Sequence, residues 1–555
     1  MLFETLSVAR DFGRIHEISS ILIKYGFGDM VSRLGVASIV ESAGHALKWK
    51  EVENLTKIEP AVRVRKALEE MGPTFVKLGQ ILATRADLFP PEWIVEFKKL
   101  QDQVQTVPYE ELAAQVEEDL GARPEEIFAE FCTEPLAAAS ISQVHKALLK
   151  NGEAVVVKIR RPGIRSVVEA DLRLLASLAD IAKREIKALQ RYHPKEIAHQ
   201  FTLSMRRELD LATECRNAER MMVNFKNDPY IVIPKIYWQW TCERINVQEY
   251  IDGIHGYDLE AIDEAGLNRR LLATRGAEAV LKMILKHGFF HADPHPGNCF
   301  FLDNNRIAFI DFGMVGRLSE SRRDQVLNLL RGFVDQDTQP VVKVLLQWSS
   351  SSISPQERDS LVLDVENFID QYHDVPLKEL NITDLLNNLT TLLRDHQLNL
   401  PSDLTLLLKA AITLEGLGRQ LDPEFNLVEV ATPLMTQIFW SRYSPDALLK
   451  KGKNNFFALA ELLIDLPKDL HQLMESMRHG AVGVKIDINK PSWISKELDR
   501  IINRLSISLV TSALIVGSSI VATTEDGSSS VIGFLGFIGA FIGGIWLLLS
   551  IWRSG

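Results

Sequence analysis

Two short segments in the middle of the chain place polar residues in an informative order. The first is HADPHPGN, residues 291–298, and the second is IAFIDFG, residues 307–313. Carboxylate and amide oxygens on adjacent loops suit Mg²⁺, which requires octahedral oxygen coordination. We therefore expect Asp311 and Asn298 to bind Mg²⁺, and Asp293 to orient or deprotonate an attacking hydroxyl.

A lysine lies upstream in a strand-like run, AVVVKI at residues 154–159. Its Lys158 is costly to bury without a partner. Protein kinases carry the same elements in the same order: a strand lysine, an aspartate followed by an asparagine, and Asp-Phe-Gly. There the lysine contacts ATP phosphates and pairs with a helix glutamate. The order predicts a helix-rich α+β fold, bilobal and protein-kinase-like, with ATP and Mg²⁺ as cofactors and Lys158 as a catalytic and nucleotide-binding residue.

An acidic segment, residues 207–217, supplies candidates for the glutamate. On a helix, Asp210, Glu214 and Asn217 fall on one face, whereas Glu208 points elsewhere. Two different partners are therefore expected, and Glu214 is assigned to Lys158. The alternative is a solvated charged face, which is frequent in helices.

Three histidines spaced by four, His287, His291 and His295, offer a rival interpretation as metal ligands. On one continuous helix they would share a face. Pro294 and Pro296 interrupt any helix there, because proline removes a backbone donor and clashes with the preceding turn. The spacing of four therefore does not bring the three histidines onto one face and does not indicate a metal site.

An N-terminal segment adds to these motifs and makes the sequence similar to the UbiB family, also called the AarF family, of atypical kinases. The segment is PTFVKLGQ, residues 73–80, and it resembles the family's Lys-x-Gly-Gln signature. Lys77, Gln80 and Thr84 would line one helical face, and Gly79 would allow close approach to another backbone. The resemblance implies that this segment folds over the active site, in space where a peptide would otherwise dock.

The resemblance covers roughly residues 15–555. It implies that Lys77 pairs with the acidic motif at Glu208 and Asp210, so that these residues and Gln80 have a regulatory role. The helical C-terminal lobe carries a further family motif, LEGL followed by LDP, to which we assign a structural role.

The predicted nucleotide loop consists of small residues: Ala137, Ala138, Ala139 and Ser140. Ordinary kinases have glycines here, which let backbone amides approach phosphates. The UbiB family also has alanines, and their methyl groups restrict the backbone, so nucleotide contact should differ. The run VQEYI, residues 247–251, is the predicted hinge, where backbone groups at Glu249 and Ile251 would bond adenine.

Several features of ordinary protein kinases are missing. The catalytic loop reads His-Ala-Asp without an arginine, no Ala-Pro-Glu follows, and little chain separates Gly313 from a helical segment near Glu320. The peptide-binding platform is therefore expected to be absent, which favours an ATPase or a small-molecule or lipid kinase.

The predicted organisation has five parts: a helical N-terminal extension at 1–120, a kinase-like N-lobe at 121–250, a kinase-like C-lobe at 251–430, a helical segment and linker at 431–503, and two transmembrane helices at 504–553. An amphipathic helix near residues 15–25 is expected to pack on its own domain, with a membrane surface as the alternative.

Two uncharged runs near the C-terminus, 505–523 and 531–552, each meet the roughly 20 residues needed to cross a bilayer. A polar turn separates them, so they read as a membrane hairpin. Basic residues flank the pair and are missing from the turn, which predicts that the kinase-like part lies on the cytoplasmic side of a bacterial inner membrane, or on the equivalent face in an organelle. Glycines in the second run suit close packing within the hairpin or in a homodimer.

The net charge of −11 argues against nucleic-acid binding, which needs a basic surface. The four cysteines form no CxxC pair, so they indicate neither a zinc site nor a disulfide framework.

These features predict an ATP-dependent enzyme that supports ubiquinone or related prenylquinone biosynthesis at a membrane. Its expected partners are membrane lipids, prenylquinone precursors and other quinone-biosynthesis enzymes. Two alternatives stay open: a protein kinase acting on membrane enzymes, and a lipid-binding scaffold that uses ATP without phosphoryl transfer.

Overall fold

The computed structural model describes residues 8–28, 58–85, 88–100, 106–185, 194–348, 354–372, 381–396, 398 and 400–443, and beyond these only 511–513, 515, 516 and 538. The chain divides into two compact units, Met1–Leu448 and Leu449–Gly555. The elements and contacts given below belong to the first unit.

The described helices are α1 (Val8–Lys24), α2 (Pro60–Met71), α3 (Pro73–Leu82), α4 (Pro91–Phe97), α5 (Tyr109–Leu120), α6 (Pro124–Ile127), α7 (Ile164–Glu185), α8 (Pro194–Glu208), α9 (Leu211–Asn224), α10 (Leu259–Glu264), α11 (Arg269–Leu281), α12 (Glu320–Val334), α13 (Thr338–Trp348), α14 (Pro355–Gln371), α15 (Ile382–Asp395), α16 (Ser402–Leu421) and α17 (Leu427–Tyr443).

The described strands are β1 (Glu130–Phe131), β2 (Ala137–Ala138), β3 (Ser142–Leu148), β4 (Ala154–Arg160), β5 (Ile231–Val232), β6 (Ile245–Glu249), β7 (Ile254–His255), β8 (Phe289–His291), β9 (Cys299–Leu302), β10 (Arg306–Phe309) and β11 (Val315–Arg317).

The N-terminal helices share an apolar core with the long helices of the small lobe. Ile18 of α1 and Phe75 of α3 are buried together with Leu172 of α7. Arg14 donates from Nε to Oδ1 of the buried Asp171 at 2.7 Å, which ties α1 to α7. The prediction that the first helix packs on its own domain is confirmed.

The small lobe is built on an antiparallel sheet of order β1-β3-β4-β6, with β2 added to β3. Because side chains alternate along a strand, Val155, Val157 and Ile159 of β4 point to one face. There they are buried with Leu112 of α5. Lys158 therefore lies on the opposite face of the sheet.

The large lobe brings the two predicted metal ligands together through one hairpin. In its sheet, of order β5-β10-β9-β7, β9 and β10 pair antiparallel with Cys299 opposite Phe309. Asn298 directly precedes β9, and Asp311 follows β10 by two residues. The ladder therefore places both residues at the same end of the hairpin. β8 and β11 form a second ladder that brackets the same loops.

Helix α16 packs along α11 and beside β11, close to the loop that follows Asp311. Arg322 of α12 donates from Nε to Oδ2 of Asp403 at 3.0 Å and so fixes the start of α16. The buried Glu415 accepts backbone hydrogen bonds from Ile382 and Thr383 at 3.1 and 2.7 Å, which caps α15. These contacts agree with a structural role for the LEGL motif.

Among the residues that the structure describes, no helix combines the length and the apolar character that a bilayer crossing requires. The two predicted spans lie outside the described residues except at 511–513, 515, 516 and 538.

Candidate active site

Lys158 forms a buried ion pair with the glutamate to which the sequence assigned it. Its Nζ lies 2.8 Å from Oε2 of Glu214, and the two side chains are 16% and 8% exposed. Burial raises the pKa of Glu214 to about 7, although the adjacent ammonium opposes the shift. Burial lowers the pKa of Lys158, but the charges of Asp311 and Glu214 outweigh it and leave that pKa above its ordinary value. The alternative of a solvated acidic face is wrong for Glu214.

Asp311 lies beside the same lysine, with Oδ2 at 3.9 Å from Lys158 Nζ. The charge of Lys158 lowers the pKa of Asp311 to about 2, and a hydrogen bond from the Gly313 amide at 3.1 Å acts in the same direction. The backbone of Asp311 has φ of 59°, a left-handed conformation that aspartate tolerates better than most residues. The carboxylate is therefore ionised and held in a fixed direction.

The Asp-Phe-Gly segment is docked against helix α9. Asn217 donates from Nδ2 to the carbonyl oxygen of Phe312 at 3.1 Å, and both residues are buried. Glu214 and Asn217 thus act from one helix face, as their spacing predicted. Asp210 differs from that prediction: it is the N-cap of α9, where its side chain accepts from the Ala212 amide.

The catalytic loop is organised by His291. Its Nδ1 accepts a hydrogen bond from the Asp293 amide at 3.1 Å, so the ring proton is on Nε2, which donates to the Ile310 carbonyl at 3.0 Å. Burial lowers the pKa of His291, which keeps the ring neutral. Asn298 donates from Nδ2 to the Asp293 carbonyl at 3.2 Å. His291 therefore joins the loop to the strand before Asp311 and has a structural role.

Asp293 has a partner that sequence reasoning missed. Lys409 of α16 lies with Nζ at 2.9 Å from Oδ2 of Asp293, and both side chains are about a quarter exposed, at 23% and 25%. Lys409 belongs to an otherwise ordinary helical run that is 116 residues away in the sequence. No local motif marked it, and only the packing of α16 brings it to the site.

The Lys-x-Gly-Gln segment forms α3 and covers one side of the site. Lys77 pairs with Glu208 at 2.8 Å, with side chains 14% and 19% exposed. The expected role of Gly79 needs a correction. A Cβ there would meet the side chains of Leu100 and Leu68 at 2.1 and 3.0 Å, so the close neighbours are side chains and not a backbone.

The alanine loop is a tight hairpin. Ala137 and Ala138 form β2 and pair with β3, and the Ala139 amide donates to the Ser142 carbonyl at 2.8 Å to close the turn. Arg161 donates to the Ala139 carbonyl at 3.0 Å, while Ser140 is buried. The loop is thus held by its own backbone bonds.

The predicted hinge follows the small-lobe sheet directly. Glu249 ends β6, where its amide donates to the Lys235 carbonyl at 2.8 Å. The Tyr250 amide donates to the Ala154 carbonyl at 3.0 Å, and Ile251 is buried at the lobe junction. The segment therefore connects the two lobes at the position expected of a hinge.

These parts enclose a cavity of about 580 Å³. Its walls come from the Lys-x-Gly-Gln helix, the alanine loop, the acidic segment, the catalytic loops, and helices α15 and α16. The site residues that line it are Lys77, Gln80, Ala139, Ser140, Lys158, Glu208, Asp210, Glu214, Asp293, Asn298, Asp311 and Lys409. Ala137, Ala138, Glu249 and Ile251 are not among the residues that line it.

The donor set fits Mg²⁺. Asp311 supplies a carboxylate and Asn298 an amide oxygen, and Mg²⁺ is usually bound by one or two carboxylates with substrate phosphates and waters. Within the described part of the chain, no group of three or more His, Cys, Asp or Glu residues gathers as a self-sufficient metal site. An ion here would therefore depend on phosphate oxygens to complete its coordination.

Three family models match the chain. The ABC1 atypical kinase-like domain matches residues 99–345, the UbiB helical domain residues 365–426, and the ABC1/UbiB kinase-like C-terminal domain residues 490–553.

Relatives match over most of their length. A protein from Azotobacter vinelandii described as "Probable protein kinase UbiB" is 34% identical over 93% of this chain and 94% of its own. An uncharacterised Clostridium pasteurianum protein from a hydrogenase 1 5′ region is 32% identical over 98% and 99%. A Mycobacterium tuberculosis protein solved in complex with erythromycin superposes with a TM-score of 0.43 at 20% identity, covering 68% of this chain and 95% of that one.

Proposed function

Because this chain belongs to the UbiB family of ABC1-type, kinase-like proteins, we propose that it is an ATP-dependent phosphoryl-transfer enzyme, a kinase or ATPase that works at a membrane in prenylquinone biosynthesis. The observation that carries the proposal is the convergence of Lys158, Glu214, Asp293, Asn298 and Asp311 on one cavity. Each of the five has a counterpart in the phosphoryl-transfer site of protein kinases: the strand lysine, its glutamate partner, the catalytic-loop aspartate and asparagine, and the aspartate of Asp-Phe-Gly.

Each residue has a distinct task in this reaction. Lys158, held by Glu214, binds the α- and β-phosphates of ATP, and Asp293 faces the attacking hydroxyl. The hydroxyl oxygen bonds to the γ-phosphorus while its proton passes to Asp293. The bond between the γ-phosphorus and the β–γ bridging oxygen breaks, and its electron pair leaves on ADP. Mg²⁺, when bound, neutralises phosphate charge, and Asp311 and Asn298 are the residues that would hold it.

The enclosed acceptor side favours a small nucleophile over a protein segment. The Lys-x-Gly-Gln helix and α16 form walls of the cavity that holds Asp293. β11 and α12 follow Gly313 almost directly, so little chain is available for a peptide platform. Water, or the hydroxyl of a lipid or small molecule, is therefore the proposed acceptor.

The membrane part of the proposal rests on the sequence, and the quinone part rests on the resemblance to the UbiB family. The uncharged runs at 505–523 and 531–552 would anchor the chain, with the kinase-like part on the cytoplasmic face of a bacterial inner membrane. Membrane lipids, prenylquinone precursors and other enzymes of quinone synthesis are the proposed partners, and a homodimer through the glycine-rich run is compatible with them.

The test is phosphate release from ATP and Mg²⁺ by the purified full chain. It is run with and without anionic liposomes and a soluble phenolic mimic of a quinone precursor, beside the Asp311→Asn variant. We expect release that the liposomes stimulate and that the variant lacks. Labelled γ-phosphate distinguishes free phosphate from a phosphorylated lipid or a phosphoprotein.

Two outcomes would replace the proposal. A stable phosphoprotein that forms faster than free phosphate would establish the protein-kinase alternative. If neither wild type nor Asp311→Asn releases phosphate under any condition, and nucleotide binding is retained, the protein would be an ATP-responsive scaffold.

A further inference from the structure

Lys409 is a cation that lines the cavity and has no task in the proposed reaction. Its Nζ lies 2.9 Å from Asp293 Oδ2 and 3.9 Å from Met314 Sδ. Both partners belong to the catalytic segments, yet Lys409 comes from α16, in the part matched by the helical-domain model. The contact therefore joins two separately recognisable parts of the chain at the reacting group.

The surrounding packing fixes the direction of Lys409. The Arg322–Asp403 pair at 3.0 Å holds the N-terminal turn of α16 to α12. Further along, a Cβ on Gly418 would lie 2.3 Å from the ring of Phe425, so α16 is closely packed there as well. A helix fixed at both sides of Lys409 holds the backbone of this lysine in place beside the catalytic loop.

Two contacts within the catalytic loop hold the backbone of Asp293, and neither of them involves its carboxylate. His291 accepts from the Asp293 amide and Asn298 donates to its carbonyl. Neither contact controls rotation of the carboxylate about its side-chain torsions. Lys409 supplies that control, because a charge-assisted bond to Oδ2 leaves Oδ1 to receive a proton.

We propose that Lys409 is a positioning residue that orients the carboxylate of Asp293 for proton acceptance, so that the helical segment completes the active site. The proposal rests on the phosphoryl-transfer function given above. Orientation of a reacting group is worth large factors in rate, since displacement by about 1 Å can cost about 100-fold. The helical segment then governs activity through this one contact, without touching the nucleotide.

The experiment is a double-mutant cycle in the full chain, with Lys409→Met, Asp293→Asn and the double variant. Lys409→Arg tests rescue by a second cation, and Lys343→Met, an exposed lysine on α13, is the matched control. The measurements are kcat for phosphate release, the affinity for a non-hydrolysable ATP analogue, and the thermal midpoint of the nucleotide-free protein.

We expect Lys409→Met to lower kcat about 10- to 100-fold and Asp293→Asn to lower it about 1,000-fold. The double variant should match Asp293→Asn within about threefold, because residues that act through one group are non-additive. Analogue affinity should stay within about threefold of wild type, Lys409→Arg should recover part of kcat, and Lys343→Met should behave as wild type.

If the kcat of the double variant fell by the product of the two single-variant factors, the proposal would be overturned, since Lys409 would then act independently of Asp293. A tenfold loss of analogue affinity in Lys409→Met would also overturn it and indicate direct contact with the nucleotide. Full activity in Asp293→Asn would remove the group that Lys409 is said to orient. These results leave phosphoryl transfer intact, whereas a wild-type protein without activity removes the proposed function and this role together.

Discussion

Replacement of Lys158 by methionine tests the buried ion pair through its effect on stability. Methionine fills a similar volume but leaves Glu214, 8% exposed, without its ammonium partner. Burial already raises the pKa of Glu214 to about 7 with the lysine present, so in Lys158→Met this pKa rises further. A buried carboxyl with such a pKa is protonated in the folded protein at neutral pH.

The sign of the pH dependence follows from linkage. The folded pKa of Glu214 lies above the value of about 4.3 in the unfolded chain, so the folded state binds the extra proton between the two. The stabilising contribution is complete below the unfolded pKa and is lost as pH rises through the folded pKa. Through this one group, the free energy of unfolding can fall by at most about 1.4 kcal/mol per pH unit, or about 2.7 kcal/mol between pH 6 and pH 8.

The assay is urea unfolding of the nucleotide-free protein at pH 6, 7 and 8. The control is the double variant Lys158→Met/Glu214→Gln. It retains every other titrating group and has an amide in place of the Glu214 carboxyl. We expect the free energy of unfolding to fall more steeply with pH in the single variant. Both variants lack Lys158, the neighbour of Asp311, so any change in the titration of Asp311 is common to them and cancels in the comparison. Parallel pH dependence in the two variants would refute the reasoning, since Glu214 would then be solvated.

Two glycines offer a matched pair, and the cysteines offer a test of the fold. Gly79→Ala should destabilise the protein by about 1–3 kcal/mol in urea unfolding, because its Cβ would lie 2.1 Å from Leu100. Gly416→Ala meets no atom within 4 Å and lies inside α16, so it should be neutral or stabilise by up to about 1 kcal/mol; equal effects would contradict the packing described for Gly79. In the native protein a thiol reagent should modify the exposed Cys132 quickly and the buried Cys299 only after unfolding, since burial raises the pKa of the Cys299 thiol to about 12. Rapid native modification of Cys299 would place it outside the core.

The residues that sequence reasoning could locate are those whose chemistry is tied to local spacing. The distance from Asp293 to Asn298 and the strand before Asp311 define a hairpin, and its register brings the two metal ligands together. Glu214 could be assigned because a buried lysine requires a carboxylate and α9 presents one. In each case a short segment holds both the residue and the reason for its position.

Residues whose position depends on tertiary packing were beyond that reasoning. Lys409 lies in an ordinary amphipathic helix, and its pairing with Asp293 depends on how α16 packs against α11 and β11. The close neighbours of Gly79 are side chains from α2 and from the segment after α4, which no local pattern could identify. Asp210 was placed on a helix face, but the helix begins one residue later and uses it as a cap.

The same packing bears on which acceptor the kinase-like site would take under the proposed function. An ordinary kinase leaves the space in front of its aspartate open for a peptide. Here that space is bounded by Lys77, paired with Glu208, and by Lys409, paired with Asp293 itself. Each pair consists of one cation from a helical addition and one carboxylate from the catalytic lobes. Under the proposed function, an acceptor would reach Asp293 between these two pairs, which suits the hydroxyl of a small molecule or a water.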